Sequence, residues 1–179
     1  METEEYKQSI LFDAASIVVT GVIAIAIIFT FFFRTAGVNG TSMVPTLQHQ
    51  DILAVTAHQT KVKYGDIVII TQPNAFNEPI VKRVIATEGQ KVDIDFEKGI
   101  VYVDDKALDE PYVCEPTHKK EDFEGPVTVP KGKVFVMGDN RNNSTDSRSS
   151  LVGMIDTRYI YGKVLGRLIP YGSWNVYGK

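Results

Sequence analysis

Twenty consecutive residues without a charge, Ala14 to Phe33, constrain this chain more than any other feature. At 1.5 Å per residue a helix of that length spans roughly 30 Å, the thickness of the hydrocarbon core of a bilayer. Asp13 and Arg34 bound the run, which ends IAIIFTFFF. A buried core helix is usually shorter and two-faced. A cleavable signal peptide has a basic start, a shorter apolar stretch and a small-x-small exit. Here the start is METEEYK and the exit FFRTAG. The run therefore reads as one uncleaved transmembrane helix over 14–33, behind a short tail at 1–13. Charge does not orient it, because Lys7 on one side and Arg34 on the other nearly balance.

The remaining length suits one domain of ordinary size. A net charge of −3 with no clustered basic face gives no footprint for nucleic acid. The single cysteine, Cys114, cannot form an internal disulfide, and no Cys/His spacing resembles a metal site. After Arg34 the pattern becomes strand-like. Asp51–Ala57, Gly65–Thr71, Pro79–Ala86, Gly99–Val103, Lys133–Met137 and Tyr159–Leu168 are short β-branched runs with polar or Gly borders. Lys91–Phe96 alternates strictly, which puts Val92, Ile94 and Phe96 on one face. Asp104-Asp105 fits a turn into a further short strand. Residues 108–130, rich in Pro, Glu, Asp and Lys, read as a surface extension. The expected fold is mainly β, with 34–88 and 131–179 forming one domain and 89–130 a β-rich insertion. Outside the apolar run the expected helical content is one turn near Asp156–Arg158.

Three segments carry chemistry. In Gly40-Thr41-Ser42-Met43-Val44-Pro45-Thr46-Leu47, Gly40 permits close backbone approach and Pro45 pushes Val44 towards an extended conformation. A serine there needs a neighbouring base to become a nucleophile, and nearby N–H groups to face an oxyanion. In Pro79-Ile80-Val81-Lys82-Arg83-Val84-Ile85-Ala86, period-two alternation puts Lys82 among Ile80, Val84 and Ala86 and points Arg83 the other way. A lysine works as a base at neutral pH only if burial depresses its pKa. A drop of about three units costs about 4 kcal/mol. The third segment, Met137 to Arg148, holds two carboxylates, two arginines, two serines and three asparagines after an apolar strand. It suits a hydrogen-bonded scaffold. A calcium loop is excluded because no bidentate Glu follows at the required position. Singly, the three also fit a turn, an edge-strand lysine reaching solvent and an exposed polar loop.

Taken in order, Ser-Met-x-Pro-Thr-Leu, Lys-Arg-Val-Ile and Gly-Asp-Asn-Arg-x-Asn-Ser-x-Asp-Ser-Arg behind a membrane anchor resemble bacterial type I signal peptidase. The resemblance covers essentially the whole chain, including Tyr64-Gly65-Asp66-Ile67-Val68, and is nearest to the single-anchor Gram-positive form. It implies a β catalytic domain outside the bacterial cell membrane, the 1–13 tail in the cytoplasm, and removal of signal peptides from preproteins after Ala-x-Ala sites. It further implies Ser42 as nucleophile and Lys82 as general base, with Ser144 bonding the Lys82 amine. Asp146 would pair with Arg148 and Asp139 with Arg83, while Val38, Met43, Leu47 and Val81 would line small pockets for substrate. No cofactor and no metal is implied. Gly40 departs from relatives that carry a serine two residues before the nucleophile, so the oxyanion would rely on the Ser42 N–H unless Thr41 turns inward.

Rival readings have less to offer. A Ser-His-Asp mechanism would need His49, His58 or His118, none of which sits in a charged, Gly-bounded motif. An SOS-repressor type of autoprotease, which also uses Ser and Lys, is soluble and carries a DNA-binding part. A catalytically inactive membrane-tethered binding module would have no use for a costly buried amine. Trp174, Tyr171 and Tyr177 are expected near a lipid interface, as amphipathic aromatics prefer.

Overall fold

The computed structural model describes residues 2–56, 61–73 and 75–170. Trp174, Tyr171, Tyr177 and His58 lie outside the described residues. The chain divides into two units, 1–34 and 35–179.

The first unit is built on helix α1, Glu2–Phe32. It starts earlier than the apolar run because Glu, Lys and Gln are good helix formers and neither Gly nor Pro interrupts 2–13. Its end falls one residue short of the expected one, since Phe33 opens a strand. Within α1, the 21 residues Phe12–Phe32 are long and apolar enough to cross a membrane by length and composition.

The strands after α1 form two sheets. The larger contains β1 (Phe33–Gly37), β2 (Ile52–Thr56), β3 (Ile67–Ile70), β4 (Ile80–Thr87), β9 (Lys133–Met137), β10 (Ile155–Asp156) and β11 (Ile160–Ile169), in the order β1-β2-β11-β3-β4-β9-β10. The long β11 serves two neighbours. Its first half pairs with β3 (Ile160↔Ile70) and its second with β2 (Val164↔Val55). Gly162 sits at the changeover, where a Cβ would collide with the Thr56 carbonyl, so only glycine lets the two backbones approach so closely. The smaller sheet contains β5 (Lys91–Asp95), β6 (Ile100–Val103), β7 (Lys106–Ala107) and β8 (Val127–Thr128), in the order β7-β6-β5-β8. Asp104 and Asp105 both have positive φ, 51° and 63°, which is the backbone a tight two-residue hairpin demands.

β3 reads IVII without polar alternation because both faces are covered. Ile67 and Ile69 join Val38, Met43, Leu47, Leu53, Val55 and Val164 on one side. Val68 and Ile70 join Val84, Val134, Val136 and Ile155 on the other. A third cluster fuses the two sheets: Val92, Ile94, Val101 and Phe123 pack with Ile85, Phe135 and Met137 of the larger one. Each such side chain contributes about 1.5–3 kcal/mol by leaving water, so the smaller sheet is cemented to the larger by a shared core.

Candidate active site

The nucleophile segment is a compact turn. Gly40 takes φ +92°, a conformation that favours glycine. Val44 N–H donates to the Thr41 carbonyl at 3.1 Å and Leu47 N–H to that of Met43 at 2.9 Å. The Val44–Pro45 peptide is cis. Met43 and Leu47, 2% and 1% exposed, pin the turn to the core beside Val38 and leave Ser42 half-buried at its surface.

β4 delivers the second group. Lys82 is only 4% exposed, and its Nζ lies 2.7 Å from Ser42 Oγ in a direct hydrogen bond. Burial is the main influence on this amine. The Arg148 charge lowers it further and the Asp146 and Asp139 carboxylates raise it, and together they bring its pKa from 10.5 to about 8. Arg83, next in the chain, turns to Asp139, with Nε donating at 2.8 Å to Oδ1 and Nη2 at 2.6 Å to Oδ2. Thr46 also donates to this carboxylate, tying the nucleophile turn to the pair.

The polar loop after β9 supplies the frame. Asp146 is fully buried and takes Arg148 Nε at 2.8 Å, Arg148 Nη2 at 2.9 Å, the Gly138 N–H at 2.9 Å and the Ser144 hydroxyl at 2.8 Å. Burial alone would raise the Asp146 carboxyl, but Arg148 and the hydrogen bonds from Gly138 and Ser144 hold it below the usual carboxylate value. The Ser144 hydroxyl thus goes to a carboxylate, the stronger acceptor, and not to the Lys82 amine as the sequence reading has it.

Several supports were not identified from sequence. Asn140 N–H donates to the Ser42 carbonyl at 3.0 Å, Asn140 Nδ2 to the Thr41 carbonyl at 3.1 Å and Asn143 Nδ2 to the Thr41 hydroxyl at 3.1 Å. Their density in one loop was the visible signal; their individual targets were not. Gly138 touches both the Ser42 carbonyl and the Ser144 hydroxyl, with no room for a Cβ. Gly138→Ala is expected to displace the Ser42 backbone and lower the rate of cleavage by about 100-fold. Steady-state assay of the folded variant checks this.

The Ser42 N–H has no protein acceptor among the described residues. Beside Val81 a cavity of about 310 Å³ opens between Ala36, Gly37, Ile69 and Pro79. A larger one, about 600 Å³ among Thr87, Glu88, Lys133 and Ile160, contains none of the candidate residues. His118 Nδ1 contacts the Phe96 carbonyl at 2.9 Å, and the Gly40 N–H donates to His49 Nδ1 at 3.3 Å, so both rings are engaged with backbone. Among the described residues no group of three or more His, Cys, Asp or Glu is placed to hold a metal ion.

With this arrangement in view, comparison with known proteins is decisive. Residues 11–169 match the family described as signal peptidase, peptidase S26. The chain belongs to that family. Signal peptidase I of Bacillus licheniformis is 37% identical over 183 residues, covering 96% of each chain. Signal peptidase I S of Bacillus subtilis is 38% identical over 176 residues, covering 90% of each. A crystal structure of a signal peptidase I from Enterococcus faecalis matches with TM-score 0.48 and 28% identity, over 58% of this chain and 97% of that one. Membership in the peptidase S26 family makes the chain a hydrolase, a serine endopeptidase, and removal of signal peptides is the activity that membership supports.

Proposed function

We propose that this serine endopeptidase works through a Ser42/Lys82 dyad on membrane-embedded signal peptides. The observation that carries the reading is the 2.7 Å contact between a hydroxyl and an amine withdrawn from water. With its pKa near 8, a useful share of Lys82 is neutral at working pH and accepts the Ser42 proton as Oγ attacks the scissile carbonyl. The same amine, now charged, returns that proton to the leaving nitrogen. The Ser42 N–H, which has no protein acceptor among the described residues, is the donor assigned to the oxyanion. Asp139 with Arg83, and Asp146 with Arg148 and Ser144, hold the frame without touching substrate.

The binding groove follows from strand pairing. β4 pairs with β3 from Ile80 to Arg83, whereas its pairing with β9 starts only at Arg83. The edge at Ile80–Lys82 is therefore open to an extended peptide. Val38, Met43 and Leu47 share one buried apolar cluster against which Val81 packs, and Val81 lines the cavity of about 310 Å³, an apolar setting that supports Ala-x-Ala selectivity. The Phe12–Phe32 stretch of α1 acts as a single anchor in the bacterial cell membrane, with the catalytic domain on the extracytoplasmic side, where signal segments emerge.

Purified protein in lipid vesicles is expected to cut a preprotein after its Ala-x-Ala site, as read from the product's new N-terminus. Changing the second of those alanines to leucine is expected to slow cleavage by at least about 100-fold. Ser42→Ala should yield no product. Cleavage by Ser42→Ala would refute the dyad, and no cleavage by the parent would leave the inactive binding module as the better reading.

A further inference from the structure

The loop between β7 and β8 reaches back to the polar loop of the site and brings a counter-charge with it. Arg141 is fully buried. Its Nη1 donates to Glu110 Oε2 at 2.6 Å and its Nη2 to Oε1 at 2.7 Å, a bidentate pair. Nη1 also donates to Thr117 Oγ1 at 3.1 Å, and Nε to the Gly138 carbonyl at 3.0 Å. Glu110 Oε1 in turn accepts from the Tyr112 hydroxyl at 2.8 Å. The Tyr112 ring is buried and lies 3.9 Å from the guanidinium carbon of Arg83.

These contacts stop just short of the dyad on both sides. Arg83 follows Lys82 in β4, and Gly138 packs against the Ser42 carbonyl. Among the described residues Glu110 is the one carboxylate paired with Arg141. A guanidinium held out of water without such a partner is strongly destabilised.

We propose that Glu110 and Tyr112 are positioning residues for the nucleophile. Through Arg141 they fix the Gly138 carbonyl and the Ser42 backbone packed on it; through the Tyr112 ring they brace Arg83 beside Lys82. The proposal rests on Ser42 and Lys82 being the dyad. Neither residue belongs to the apolar cluster of Val38, Met43, Leu47 and Val81, so their loss acts on the chemical step and leaves substrate binding alone.

Steady-state cleavage of an Ala-x-Ala peptide by the full chain in detergent provides the test. Glu110→Gln is expected to lower kcat by about 10–100-fold with KM within about twofold of the parent. The double variant Glu110→Gln/Arg141→Met removes the stranded charge. Its unfolding midpoint should return towards the parent's while kcat stays low, a separation that a merely structural role would not produce. A kcat within threefold of the parent, a kcat that recovers together with the midpoint, or a loss confined to KM would overturn the proposal. If Glu110→Gln does not fold, Tyr112→Leu decides: it removes both the ring beside Arg83 and the hydroxyl bonded to Glu110, and a parent-like kcat would be equally fatal. Lys82→Met is assayed alongside, and activity there would remove the dyad reading itself while leaving the Glu110 comparison legible.

Discussion

Lys82→Met is expected to abolish cleavage and to make the protein more stable. Loss of the base should lower kcat/KM by at least about 10⁴-fold, the scale on which removal of a single member of a nucleophile–base unit acts. The gain in stability has the same origin. Lys82 is 4% exposed and its pKa is lowered from 10.5 to about 8, mainly by burial. That difference corresponds to about 3 kcal/mol of cost for holding the charged amine in the fold. Methionine has a similar length and no charge, so a gain of about 1–3 kcal/mol is expected, visible as a rise of several degrees in Tm.

The sign of the pH dependence makes this specific. Between about pH 8 and 10.5 the unfolded chain keeps a proton that folded Lys82 has released, so the parent gains stability as pH rises through that window. Below pH 8 both states are protonated and the full cost stands. The advantage of Lys82→Met should therefore be largest below pH 8 and fade towards 10.5. Activity of the parent should climb about tenfold per pH unit below 8 and level off above it. Thermal unfolding and kcat/KM measured across pH 6 to 10.5 check both.

Asp146→Asn is expected to have the largest destabilising effect among the site variants. The carboxylate and Arg148 are both fully buried, and the pair also holds Gly138 and Ser144. Asparagine fills the space but leaves the Arg148 charge without its counter-ion, which costs about 3–5 kcal/mol. Folded Asp146 titrates below its ordinary value, so the stability it contributes is in place above pH about 4 and is lost as pH falls through the folded value. Cleavage should fall as well, since the turn that packs Gly138 on the Ser42 carbonyl loses its anchor. Asp156→Asn is the contrasting control. Asp156 also pairs with an arginine, but Arg158 is 81% exposed, and such pairs contribute little. Chemical denaturation of the two variants side by side separates the cases.

What the sequence made legible was whatever depends on local pattern. The β-branched runs that hold β2, β3, β4 and β9 formed strands because their borders and side-chain period already fit a pleated, buried surface. Asp104-Asp105 turned as a turn should. β1, with the sequence FRTAG, and the two-residue β8 and β10 carry no period and are strands only because a neighbour pairs with them. Long-range geometry was likewise invisible. No spacing rule says that Glu110 meets Arg141, or that the Ser144 hydroxyl chooses Asp146 over Lys82. The approach of Ser42 to Lys82, 40 positions apart, was reached through the order of motifs and not through pattern alone.

The central claim is that burial lowers the Lys82 amine, beside the Ser42 hydroxyl, far enough that a usable share of it is uncharged near neutral pH. Its own titration tests this most directly. Protein carrying ¹³C-labelled lysine would be followed by NMR, with the Lys82 signal assigned by its absence in Lys82→Met. A midpoint near pH 8 is expected. A midpoint near 10.5, the value of an ordinary lysine, would contradict it.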